Sequence, residues 1–237
     1  MTITTVGLDA DDTLWHNETI FRLTQSRFLD LLSEHDTDAV QTRLAEVERR
    51  NLRLYGYGVK GFTLSMIETA MEMCDGEPPA GAIREILAAG REMLAHPVET
   101  LPGVDEALAQ LSERYRLVLI TKGDLLDQER KLAASGLGDL FAAIEIVSEK
   151  DRQTYERVFA RHGTGPAEAV MAGNSMKSDV LPALDSGAFA VHIPYPVAWA
   201  HELAEAPEGH PRYAALASIS FLPAWIEERR RAFEERR

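Results

Sequence analysis

VGLDADDTLW, residues 6–15, runs from an apolar lead straight into three aspartates within four positions, Asp9, Asp11 and Asp12, followed by Thr13. Carboxylates this close repel one another and raise each other's pKa. Aspartate and threonine would also suit a helix N-cap. If the cluster is more than a turn, something positive is meant to sit there. The lead itself, ITTVGL at residues 3–8, reads as a short buried strand ending at Asp9.

Whether that strand joins a sheet depends on the segments C-terminal to it. From about Trp15 to His96 the chain reads as helix throughout. IFRLTQSRFLDLL, AVQTRLAEVERRNLRLY, LSMIETAMEM and AIREILAAGREMLA all space apolar residues at i, i+3 and i+4. Gly56, Gly58 and Gly61, then Gly76, Pro78 and Pro79, read as helix stops. This is the pattern of a small bundle. After Pro97 helices alternate with the apolar runs RLVLIT, AAIEIV, AVMAG and FAVHI, which predicts a parallel sheet with right-handed crossovers. The first strand can enter that sheet only if the helical run loops out. The expected organisation is therefore an α/β core of residues 1–15 and 97–237, with an all-helical cap, residues 16–96, inserted after strand one.

The bulk composition narrows the functional classes. The 237 residues are 45% hydrophobic and 27% charged, enough for a sizeable core. A formal charge of −13 argues against nucleic-acid binding, which needs a basic surface to displace counterions. No apolar run is long enough for a bilayer span, and the N-terminus lacks the basic-then-apolar order of a signal peptide. One cysteine, Cys74, excludes an internal disulfide framework, and a reducing cytoplasm is the expected location. No heptad pattern sets the oligomeric state, so monomer and homodimer both stay open.

Ligands of open α/β sheets bind outside the carboxyl ends of the strands. Those ends carry Asp9, Asp11, Asp12 and Thr13; then Thr121, Lys122 and Gly123; then Lys150; then Gly173, Asn174, Ser175, Lys177 and Asp179. Acids, hydroxyls and lysines collected on one edge suit phosphoryl transfer. There a carboxylate can attack phosphorus, and electrostatic stabilisation does most of the work. Magnesium takes one or two carboxylates plus phosphate oxygens and would relieve the repulsion among the aspartates. YGYGVKGF, residues 55–62, reads either as a helix–helix turn or as a cap loop bringing Tyr55, Tyr57 and Lys60 to a substrate. His192, Tyr195, Trp199 and His201 read as packing or surface residues, and the terminal EERRRAFEERR as a solvated helix.

Taken together, the segments resemble the haloacid dehalogenase superfamily. LDADDTL resembles its Asp-x-Asp-x-Thr motif, LVLIT its strand ending in threonine, Lys150 in SEKDRQTYERVF its helix-opening lysine, and GNSMKSD its Gly-Asp-Ser-x-x-x-Asp motif. The resemblance implies a Rossmann-like parallel-sheet core and a helical cap that gates the substrate. It implies Asp9 as nucleophile and Asp11 as acid and base, with Thr121 and Lys150 holding the phosphoryl group. It also implies Mg2+ held by Asp9, the Asp11 carbonyl, Asp179 and the residue at Asn174. Asn174 stands where the family has aspartate, which removes one charge. Thr13, Lys122, Gly123 and Lys60 complete the expected substrate-binding set. Dehalogenases of the superfamily carry no aspartate at the position of Asp11, so the expected activity is a magnesium-dependent phosphatase acting on a small phosphorylated metabolite. A phosphotransferase or phosphomutase would use the same motifs. A phospho-accepting binding module is the alternative outside enzymes.

Overall fold

The computed structural model describes residues 3–197, 199 and 202–234. Its strands are β1 (Thr5–Leu8), β2 (Arg116–Lys122), β3 (Ala143–Val147), β4 (Ala169–Gly173), β5 (Phe189–His192) and β6 (Tyr213–Ala215). Its helices are α1 (Glu18–Leu31), α2 (Thr37–Tyr55), α3 (Val59–Met73), α4 (Ala82–Ala95), α5 (Val104–Ser112), α6 (Leu125–Ser135), α7 (Arg152–His162), α8 (Leu181–Asp185) and α9 (Leu222–Glu234). The strands form one parallel sheet in the order β3-β2-β1-β4-β5-β6. Among the described residues no helix is long and apolar enough to cross a membrane.

The near-continuous apolar strands reflect burial on both faces of a parallel sheet. In register, Val6 pairs with Leu117 and Val170, and Leu8 with Leu119 and Ala172. These side chains share one face with Leu108 and Leu111 of α5, Leu132 of α6, and Leu222 and Ile226 of α9. The alternate residues Val118, Ile120, Met171 and Ala190 face Tyr155, Val158 and Phe159 of α7 and Ala183 of α8. Gly7 belongs to this second face. A Cβ on it would stand 3.0–3.1 Å from Ile120, Met171 and Phe159, so glycine lets α7 close onto the sheet centre.

The chain divides into two compact units. One comprises Met1–Glu18, Val98–Lys122 and Arg130–Arg237; the other comprises Thr19–Pro97 with Gly123–Glu129. The second unit has its own core. Phe28 and Leu32, Val40 and Leu44, Phe62, Met66 and Ala70, and Ile86 and Met93 repeat at helical spacing and pack together.

Three details differ from the sequence reading. Gly61 does not stop a helix: it lies inside α3, where a Cβ would meet the Gly56 carbonyl at 2.8 Å. Gly56 and Gly58, both at positive φ, make the turn between α2 and α3. The three-residue β6 carries no apolar run and only its pairing with β5 reveals it. Helix α9 begins five residues before EERRRAFEERR, at Leu222, and of those added residues Leu222 and Ile226 are buried, whereas residues 227–232 are exposed or half-buried as a solvated helix would be. Residues 235–237 lie outside the described residues.

Candidate active site

Strands β1, β2 and β3 run outward in one direction from β1, whereas β4 starts the other half of the sheet beside it. The crevice between β1 and β4 is therefore the topological switch point, where such folds bind ligands. Asp9 is the first residue past β1, and its N–H donates to Ala172 O of β4 at 3.0 Å. Its side chain stands at the switch point and is 9% exposed.

Lys150 comes from the far side of the sheet, after β3 and just before α7, whose N-cap is Asp151. Its side chain is 2% exposed, and its ammonium donates to Asp9 Oδ1 and, at 2.7 Å, to Asp179 Oδ1. Asp179 is delivered by a widened turn, Met176–Val180, in which Val180 N–H reaches back to Ser175 O at 3.1 Å. Such π-type turns recur at functional sites. The turn also brings Asp179 Oδ2 to the Ser175 N–H at 2.9 Å. Gly173 is required here: a Cβ on it would lie 2.2 Å from Asp179 Oδ2.

The electrostatics are set by this geometry. Burial and then the facing Asp179 carboxylate push Asp9 up to about 7, with Lys150 pulling the other way. Burial works against the Lys150 ammonium, but the carboxylates of Asp179 and Asp9 outweigh it and hold its pKa above the ordinary value. The site is a pair of buried carboxylates around one cation.

The loop after Asp9 is tied down at each residue. Thr13 Oγ1 donates to Asp9 Oδ2 at 3.1 Å and accepts from Asn174 N–H at 3.1 Å, linking the β1 and β4 loops. Asp12 adopts a left-handed φ of 61° and is 6% exposed. Its Oδ1 accepts from Asn17 N at 2.9 Å and Glu18 N at 3.0 Å, which seats the start of α1. Burial raises Asp12 to about 7 despite those backbone donors. Asp11 Oδ1 accepts from Trp15 Nε1 at 2.7 Å and from Lys131 Nζ at 2.9 Å.

Thr121, 1% exposed, lies two residues beyond Leu119, which pairs with Leu8, so it reaches the same sheet edge as Asp9. Its neighbour Lys122 is already engaged: Nζ donates to Ser178 Oγ at 2.8 Å and to Glu202 Oε1 at 2.7 Å. Glu202 Oε2 also accepts from the hydroxyls of Ser175 and Ser178. Burial disfavours the Glu202 carboxylate, yet Lys122 and the two hydroxyls hold its pKa below the ordinary value. Lys60 and Gly123 fall in the helical unit, where Lys60 Nζ pairs with Asp124 Oδ1 at 2.9 Å in the first turn of α3. Tyr55 OH donates to Glu68 at 3.0 Å. Lys177 is exposed.

Among the described residues, sequence reasoning misses Lys131 and Glu202 at this site. Lys131 sits in LLDQERKLAAS, where a helix lysine reads as solvated, and Glu202 comes after β5 with no periodic signal around it. His192 also serves the site. Its Nε2 lies 3.0 Å from Asn174 O, a carbonyl that can only accept, so that nitrogen carries the proton. Tyr195 OH is 2.6 Å from His16 Nδ1. His201 lies outside the described residues. Because the Lys122–Glu202 pair is mostly buried, Glu202→Ala is expected to destabilise the fold by about 2–3 kcal/mol, chiefly by stranding the ammonium. A urea midpoint at neutral pH checks this. Since Glu202 is held below its ordinary pKa, the difference from wild type should shrink as the pH falls through its titration.

The donor set fits magnesium. Among the described residues no three acidic, histidine or cysteine side chains form a ready-made cage. The carboxylates of Asp9 and Asp179, however, already converge on one cation, and magnesium needs only one or two carboxylates. The Asp11 backbone carbonyl and the Asn174 amide oxygen are further hard oxygens on the same two loops.

A family model for haloacid dehalogenase-like hydrolases matches residues 3–187. The solved structure of a haloacid dehalogenase-like family hydrolase from Xanthomonas campestris is 42% identical, covers 100% of this chain and 95% of its own, and superposes with a TM-score of 0.88. The HAD-hydrolase YfnB from Bacillus subtilis, bound to magnesium, is 16% identical over 95% of this chain and 99% of its own, with a TM-score of 0.66. A 2-haloacid dehalogenase from Pseudomonas syringae pv. Tomato is 20% identical over 96% and 99%, with a TM-score of 0.60. The last two likenesses concern the fold alone. No curated protein matches the chain.

Proposed function

The chain belongs to the haloacid dehalogenase-like hydrolase family, and on that premise we propose that it is a magnesium-dependent phosphatase of small phosphomonoesters. The observation that carries the reading is the acid set. Asp9 shares the Lys150 ammonium with Asp179, and a further carboxylate, Asp11, stands two residues from the nucleophile. Cleavage of a carbon–halogen bond needs neither a leaving-group acid nor a metal, so a second aspartate at Asp11 beside the Asp9–Asp179 pair favours phosphoryl transfer.

An Asp9 oxygen attacks phosphorus while the bond to the leaving oxygen breaks, and Asp11 delivers its proton to that oxygen. The Thr121 hydroxyl and the Lys150 ammonium hold the phosphoryl oxygens as charge redistributes. Asp11, now a carboxylate, takes a proton from water, whose oxygen attacks phosphorus. The Asp9–phosphorus bond then breaks, releasing inorganic phosphate and restoring both aspartates. Magnesium bound by Asp9, Asp179, the Asp11 carbonyl and Asn174 would neutralise charge on the phosphoryl oxygens.

The test is a paired assay on the same preparation. One arm monitors p-nitrophenol and inorganic phosphate from p-nitrophenyl phosphate with magnesium present. The other monitors chloride from 2-chloropropionate. Phosphate release without chloride release is expected. Chloride release that needs no metal would overturn the assignment.

A further inference from the structure

We infer that Lys131 is a positioning residue for the reaction: from the middle of α6 it fixes the carboxylate of Asp11, with the Trp15 indole as the second anchor. The inference rests on the reading of Asp11 as acid and base.

Lys131 belongs to none of the segments at the strand ends. A lysine on an amphipathic helix ordinarily keeps its ammonium in water. This one does not: its side chain is 12% exposed. Its Nζ lies between Asp11 Oδ1 at 2.9 Å and Asn17 Oδ1 at 2.8 Å. Both acceptors lie on the loop that carries the aspartates, and Asn17 N–H is in turn held by Asp12 Oδ1 at 2.9 Å. The remaining anchor, Trp15, is 1% exposed and is pinned by backbone pairing with Thr100. Two donors of fixed origin thus meet on one oxygen of Asp11. That sets the plane of the carboxylate and the direction in which its two oxygens face. The requirement is physical. A general acid acts only within hydrogen-bond reach of the leaving oxygen, and a side chain free to turn about two torsions spends most of its time elsewhere. A misplacement of about 1 Å at a reacting group can lower the rate by roughly 10²-fold.

The test uses two esters of nearly the same shape with leaving groups of very different basicity. Phenyl phosphate needs a proton delivered to its leaving oxygen, whereas p-nitrophenyl phosphate scarcely does. In Lys131→Met, kcat/KM for phenyl phosphate should fall by about 10²-fold and that for p-nitrophenyl phosphate by no more than a few-fold. Lys131→Arg, which can still donate to both acceptors, should recover much of the loss. A rise in KM alone, equal for both esters, would make Lys131 a substrate ligand and overturn the inference, as would equal losses in kcat/KM. Asp11→Asn is the control. If it leaves phenyl phosphate hydrolysis intact, the acid–base reading and this inference fall together. If it is inactive on phenyl phosphate while Lys131→Met keeps the wild-type ratio, only the inference falls. A second readout needs no turnover: the indole N–H resonance of Trp15 in 15N-labelled protein, assigned with Trp15→Phe. It should shift or broaden in Lys131→Met as the carboxylate loosens, and an unchanged resonance in a folded variant would overturn the inference.

Discussion

Asp9→Asn is expected to lower kcat by roughly 10⁶-fold, the scale on which removal of a covalent nucleophile acts, with the fold retained. The amide is isosteric and can still accept from Thr13 Oγ1, which donates to Asp9 Oδ2 at 3.1 Å in the wild type. It cannot attack phosphorus. The same variant carries a stability signature with a definite sign. Asp9 is raised from 3.8 to about 7 in the fold, so between those values the native state binds a proton that the unfolded chain has released. Metal-free wild-type protein should therefore lose stability as the pH rises from about 4 to 7, by on the order of 4 kcal/mol. Asp9→Asn should lack that slope and be the more stable protein at pH 8. Urea melts of both proteins in chelator across this range, alongside steady-state rates, check the two halves. Activity surviving in Asp9→Asn would remove Asp9 as the nucleophile.

Removing magnesium is expected to have the second-largest effect: a loss of about 10³-fold or more in kcat/KM, restored on adding the metal back. The physical reason is the charge balance at the switch point. Lys150 is one cation serving two buried carboxylates, and an incoming phosphate brings further negative charge. Binding to the native state alone should also stabilise the fold, by about 2.7 kcal/mol at a hundredfold excess over Kd. That gain should be large at pH 8 and small at pH 5, because a protonated Asp9 offers the metal one carboxylate fewer. Thermal melts with magnesium or chelator at the two pH values distinguish this from non-specific salt effects. An equal gain at both would mean that the metal does not use Asp9.

Much of this protein is dictated by local pattern. A fully apolar lead such as TVGL belongs in a buried parallel strand, and the helical run after it has to loop out if that strand is to join RLVLIT and AVMAG. Strand ends collect polar residues on one edge, so Asp9, Thr121, Lys150 and Asp179 could be named from order alone. The period-2 and period-3.6 patterns behind these readings are properties of neighbouring residues and survive without a fold.

The tertiary structure decided the rest, because those features depend on partners far away along the chain. Strand β6 has three residues, too few for a pattern, and exists because β5 offers it an edge. Lys122 lies at the site's edge in the sequence reading, but its partner Glu202, 80 residues on, cannot be read from sequence. Lys131 reads as a solvated helix residue until Asp11, 120 residues earlier, is set against it. A lysine's sequence neighbours are the same whether its ammonium faces water or a carboxylate. What determines its role is how far it is desolvated and which charge lies within hydrogen-bond reach, and folding alone sets both.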